Sequence, residues 1–130
     1  MVVERCEEVL RQQLLKYDLQ VDNICTLDRY DDSVSEKVLT LLLEWACYGQ
    51  HMSGIMMGRR IIAEIPRTWL KTHLLNAVKS NFDYSDYWNY RRLLEMVVEL
   101  VPELKAEVLS INSGAIDPDL IEIIDDYKDM

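Results

Sequence analysis

Asp83-Tyr84-Ser85-Asp86-Tyr87-Trp88-Asn89-Tyr90-Arg91-Arg92-Leu93-Leu94-Glu95-Met96-Val97-Val98-Glu99-Leu100-Val101 is the stretch that decides the fold of this chain. A polar, acid-rich start gives way to aromatics, an arginine pair and an apolar run that stops before Pro102. Short polar side chains ahead of such a run supply the oxygens that satisfy orphan N–H groups at a helix start. The pattern predicts a helix from about Ser85 to Val101, with Ser85 or Asp83 as its N-cap.

The same grammar recurs on both sides. Downstream, Pro102 suits the first turn of a further helix carrying Leu104, Val108, Leu109 and Ile111. Asn112-Ser113-Gly114 reads as a turn, and Asp117-Pro118 opens a last helix as N-cap and N1 proline, with Leu120, Ile121, Ile123, Ile124 and Tyr127 on its apolar face. Upstream, residues 67–80 place Trp69, Leu70, His73, Leu74, Ala77 and Val78 on one stripe. Residues 50–65 form another helix, ended by Pro66, in which Gly54 and Gly58 share a face and permit close approach of a neighbour. Ser33 three residues before Glu36 matches a capping box. The helix that follows is apolar on more than one side through Val38, Leu39, Leu41, Leu42, Trp45 and Ala46, so it is expected at the centre, with Gly49 as its stop. Val3, Cys6, Val9, Leu10, Gln13, Leu14 and Tyr17 follow the spacing of a first amphipathic helix. Residues 18–32 fit either a short helix or a packed connection.

Arg59-Arg60-Ile61-Ile62 returns as Arg91-Arg92-Leu93-Leu94, 32 residues on, and Leu93-Leu94 returns as Ile123-Ile124 after another 30. Periods of that order mark stacked helix pairs, because one pair cannot bury its own apolar face. The expected fold is all-α: a HEAT-like α-solenoid of antiparallel helix pairs with about six to seven helices. It forms one domain over residues 1–130, with an N-terminal helix and irregular connection to residue 32, repeats from 33 to 130, and a capping helix at the end. An ordinary helical bundle is the competing arrangement. The Arg pairs are expected to bridge neighbouring units through Asp or Glu.

Bulk properties narrow the function. The chain has 130 residues, 49% of them hydrophobic, which suits one globular domain without metal or disulfide staples. A formal charge of −9 argues against nucleic acid and anionic membranes as partners, since both demand cations. A basic protein is its natural complement. Three cysteines, Cys6, Cys25 and Cys47, form no C-x-x-C pair, and the odd number fits a reducing cytoplasm. The first eight residues are acidic where a signal peptide would be basic.

The motifs Gly58-Arg59-Arg60, Ile65-Pro66-Arg67-Thr68-Trp69-Leu70, Asp86-Tyr87-Trp88-Asn89-Tyr90-Arg91-Arg92-Leu93-Leu94 and Asp117-Pro118-Asp119-Leu120-Ile121 resemble a small bacterial HEAT-type helical protein. The similarity runs from about Ser33 to Tyr127; the region before Ser33 departs from it. Small acidic proteins of this kind resemble immunity proteins encoded beside secreted or contact-delivered toxins. The resemblance implies a cytoplasmic protein that binds and neutralises a toxin.

Residue chemistry favours no enzyme and no cofactor. His51 and His73 lie in different helices without metal-ligand spacing; His73 beside Trp69 reads as a hydrogen-bonded core residue. The cysteines lack a neighbouring base, Cys47 reads as a small apolar residue, and the only catalytic alternative would join Cys47 to His51 in a pocket. The four glycines are too scattered for a phosphate loop, and the aspartates of residues 22–32 miss the calcium-loop spacing. Aromatics beside acids are typical interface anchors. Trp88 and Tyr84 share one face and are expected in the core; Tyr87 and Tyr90 share another and are expected at an interface. The candidate partner-binding residues are therefore Asp83, Asp86, Tyr87, Tyr90, Asp117 and Asp119. Toward a nuclease toxin, Asp83, Asp86, Asp117 and Asp119 would mimic phosphate charge. The alternative is a structural or adaptor repeat protein without a toxin, possibly as a homodimer.

Overall fold

The structure, a computed structural model, describes residues 2–49 and 51–129, with side chains from Arg5 onward. Val3, an expected stripe position, has no described side chain, and Gln50, the expected start of one helix, lies outside the described residues. The described chain is all-α: α1 (Val2–Leu15), a 3-10 segment (Val21–Arg29), α2 (Asp32–Tyr48), α3 (Met52–Ile62), α4 (Arg67–Asn81), α5 (Tyr87–Leu100), a 3-10 turn (Pro102–Leu104), α6 (Lys105–Ile111) and α7 (Pro118–Lys128).

Each boundary has a local cause. Asp117 caps α7 by accepting from the Asp119 amide at 2.9 Å, with Pro118 at N1. Pro66 stands immediately before α4, where its missing N–H costs nothing. At α2 the expected capping box does not form. Asp31 is the cap and accepts from both the amide and the hydroxyl of Ser33, at 2.9 and 2.7 Å. Glu36 reaches α4 instead, taking Asn76 at 2.8 Å and a His73 ring nitrogen at 3.3 Å. α1 ends with Asp18 in the left-handed region (φ 55°), and the Leu19 amide returns to the Leu14 carbonyl at 3.4 Å. That bond pattern is a Schellman-type stop made without glycine.

α2 is the centre of the molecule, as its apolar breadth requires. It packs against the 3-10 segment, α3, α4 and α5, and buries Val38, Leu39, Leu42, Leu43, Ala46 and Cys47. α1 contributes Leu10 and Leu14 to the same core, while Val9, expected on the buried stripe, is 43% exposed. The 3-10 segment settles the open question over residues 18–32. Val21, Ile24 and Leu27 are buried, and the fully buried Ser35 hydroxyl donates to the Leu27 carbonyl at 2.8 Å.

The closest helix approach is α2 on α3. A Cβ on Gly58 would stand 2.7 Å from the Ala46 amide nitrogen, and one on Gly54 would stand 3.3 Å from the Trp45 ring. The four-residue glycine spacing thus lets two backbones meet.

Arginines tie the helices that follow. Arg60 on α3 reaches Glu7 on α1 at 3.5 Å, Arg59 on α3 reaches Glu95 on α5 at 2.8 Å, and Arg91 on α5 reaches Asp126 on α7 at 2.6 Å. Acid bridges form for these three, though Glu7 lies on α1, before the expected repeats. Arg92 differs: it donates to the Cys47 carbonyl at 3.3 Å and to the Gly49 carbonyl. A guanidinium therefore answers the orphan carbonyls and negative dipole end of α2, while Gly49 itself is extended rather than left-handed.

Candidate partner-binding surface

Local hydrogen bonds build the start of α5. Asp86, in extended backbone, accepts from the Asn89 amide at 2.9 Å, so the cap is Asp86 rather than Ser85 or Asp83. Asp83 organises the preceding turn: its carboxylate accepts from the Ser85 amide at 3.2 Å and hydroxyl at 2.5 Å. The Asp83 amide donates to the Tyr48 hydroxyl at 2.7 Å, which fixes this turn to the end of α2. Both carboxylates are exposed.

The spacing of the aromatics to the leucines that follow sets which face they take, and it inverts two expectations. Tyr90, Leu93, Leu94 and Val97 fall at i, i+3, i+4 and i+7, and all four are buried. Tyr90 is fully buried; its hydroxyl donates to the Val108 carbonyl at 2.8 Å, joining α5 to α6. Burial pushes its phenol up to about 12, against an opposing hydrogen bond with Asn112. It is a core residue and cannot meet a partner. Trp88, expected in the core, is out of phase with that stripe and is 58% exposed. Tyr84 precedes the helix, half-buried, and its carbonyl accepts from the Asn112 side chain at 2.8 Å. The signal for Tyr90 was present in its spacing to the leucines; the signal for Trp88 was its lack of such spacing.

Trp88 is held without being covered. Its ring stands edge-on to Tyr87 at 5.0 Å and 90°, and the Arg92 guanidinium lies 5.6 Å from its centre. Tyr87 is half-buried, and its hydroxyl accepts from Arg91 at 3.0 Å. Tyr48, Asp86, Trp88, Asn89 and Arg92 line a notch of about 300 Å³. Asp83 and Asp86 bring two negative charges to this edge beside the positive charge of Arg92, which its bonds to the neutral α2 carbonyls leave in place.

Asp117 and Asp119 are exposed, but they belong to the start of α7. α7 meets α5 through Asp126, ~13 Å further along the helix at an α-helical rise. The four carboxylates form two separate pairs, one per helix start.

Elsewhere, Cys47 and His73 serve packing. Cys47 is fully buried and burial raises its thiol to about 12, so it stays protonated; His51 is exposed beside α3. His73 stacks on Trp69 at 4.3 Å and 18°, with Glu36 on its ring edge, as a hydrogen-bonded packing residue should. Among the described residues no cluster of three His, Cys, Asp or Glu could hold a metal ion, and no helix is long and apolar enough to cross a membrane.

The fold and this surface define an all-α protein with an aromatic, carboxylate-flanked edge. Comparison with protein-family models, curated proteins and solved structures gave no match.

Proposed function

We propose that this chain acts by binding another protein, and that it is an immunity protein which neutralises a basic toxin domain in the cytoplasm. The scaffold in this reading is a HEAT-like stack of helix pairs. The pairing of α2 with α3 and of α6 with α7 supports it, as do the arginine bridges from α1 to α3, α5 and α7, while α4 packs on α2 and α6 rather than mainly on α5.

One observation carries the functional reading: Trp88 is 58% exposed at a helix start flanked by Asp83 and Asp86. A large exposed indole already oriented by Tyr87 and Arg92 loses little freedom on binding, which is how a few aromatic residues come to dominate an interface. The carboxylates beside it add selection for a cationic surface. Tyr87 braces the anchor, and Asp117 and Asp119 offer a second negative point on α7. A nuclease toxin, whose cleft is basic, matches this arrangement.

The test is growth rescue. The chain is co-expressed with candidate toxin domains from any neighbouring reading frame, and protection is compared with Trp88→Ala and with Asp83→Lys/Asp86→Lys. Protection by the parent chain that disappears in both variants, with helix content unchanged, is the expected result. Full protection by both variants would remove this surface from the reading.

A further inference from the structure

A hollow of about 240 Å³ lies between the end of α1, the outer face of α2 and the end of α4, and it shares no lining residue with the Trp88 notch. Its charged lining is Lys16, Lys37 and Glu44; Tyr17 and Asn81 add a phenol and a carboxamide. Lys37, Leu41 and Glu44 fall at i, i+4 and i+7, a stripe of α2 that its neighbours leave open. Lys37 and Glu44 start ~10 Å apart along the helix axis, so they face one hollow without closing on each other. Lys16 follows the last turn of α1, with its ammonium 5.2 Å from the centre of the Tyr17 ring. A ring face places an ammonium without neutralising it. Among the described residues none of these three charges forms an ion pair, whereas Arg59, Arg60, Arg91 and Lys128 are all bound to acids. Two cations and one anion thus line a single concavity with their charge unspent.

We infer that this hollow binds an acidic α-amino acid, its two carboxylates on Lys16 and Lys37 and its ammonium on Glu44. The lining itself selects that ligand: two positive charges and one negative take two negative and one positive in return. A simple anion such as phosphate fits less well, because Glu44 and the chain's charge of −9 both oppose it. An ammonium on the ligand turns Glu44 from a cost into a contact. The Tyr17 hydroxyl and the Asn81 carboxamide make no side-chain hydrogen bond among the described residues, which leaves both to donate to carboxylate oxygens.

The experiment titrates the full chain with L-glutamate at low salt, by calorimetry and by amide NMR shifts. Ion pairs this exposed are individually weak, so half-saturation is expected at ~1 mM, with the largest shifts at Lys16, Tyr17, Lys37 and Asn81. Glutarate lacks the ammonium and L-glutamine lacks one carboxylate; each should bind about threefold or more weakly. Lys16→Met/Lys37→Met should abolish binding, and Glu44→Gln should erase the advantage of glutamate over glutarate, both with circular dichroism unchanged. No saturation, shifts elsewhere on the chain, or binding that survives Lys16→Met/Lys37→Met overturns the proposal. So does glutarate or inorganic phosphate binding as tightly as glutamate, since the hollow would then take any anion.

Discussion

Tyr90 and Cys47 hold their protons because the fold gives their charged forms no water. The ordinary phenol titrates near 10 and the ordinary thiol near 9, and burial moves each to about 12. A group whose folded value is raised contributes stability below its unfolded value and loses it as pH climbs toward the folded one. Urea unfolding should therefore show a flat stability to about pH 9, then a decline toward pH 12. Burial also raises the Tyr48 and Tyr127 phenols, so Tyr90→Phe removes only that residue's share of the decline above pH 10. At neutral pH it costs ~1 kcal/mol, because the Val108 carbonyl loses its donor. Asp18 predicts the opposite sign. It occupies φ 55° at the end of α1, where a Cβ is unfavourable and glycine is not. Asp18→Gly should raise stability by ~0.5–1 kcal/mol in the same assay, and a loss would mean that the aspartate side chain makes a compensating bond.

Between elements, the contact of α2 with α3 depends on a missing side chain. Alanine at position 58 would gain ~1 kcal/mol of helix propensity, but its Cβ would fall 2.7 Å from backbone that cannot rotate away. Overpacking of that kind costs ~1–3 kcal/mol, so Gly58→Ala should lower stability on balance, by up to ~2 kcal/mol. Gly114→Ala, with nothing within 4 Å of the added carbon, should stay within about 0.5 kcal/mol of the parent. Gly58 was legible because a four-residue spacing places Gly54 and Gly58 on one face whatever the neighbour is. Pro66, Pro102 and Asp117-Pro118 were legible because proline restricts its own backbone and needs no tertiary partner. The 3-10 segment was not, since Val21, Ile24 and Leu27 gain their burial by packing against α1, α2 and α3 together. The Trp88–Tyr90 inversion, by contrast, was legible: the spacing of Tyr90 to Leu93, Leu94 and Val97 puts it on the buried stripe wherever the helix starts. Glu36 shows how a local motif yields to a distant one: its capping-box geometry lost to His73 and Asn76.

Across the whole molecule, the charge of −9 and the single exposed indole should govern different steps of binding. Net charge acts before contact, over distances that salt shortens to a Debye length of ~8 Å at physiological ionic strength. Trp88 acts only after contact, when its ring is desolvated. Association with a basic partner should therefore slow about tenfold or more between low and high salt, and more shallowly for Asp83→Lys/Asp86→Lys. Trp88→Ala should leave that salt slope alone and speed dissociation by roughly thirtyfold, as loss of ~2 kcal/mol at an anchor implies. Stopped-flow association and competition-chase dissociation separate the two. A partner whose association ignores salt, or whose dissociation ignores Trp88, would not be using this edge.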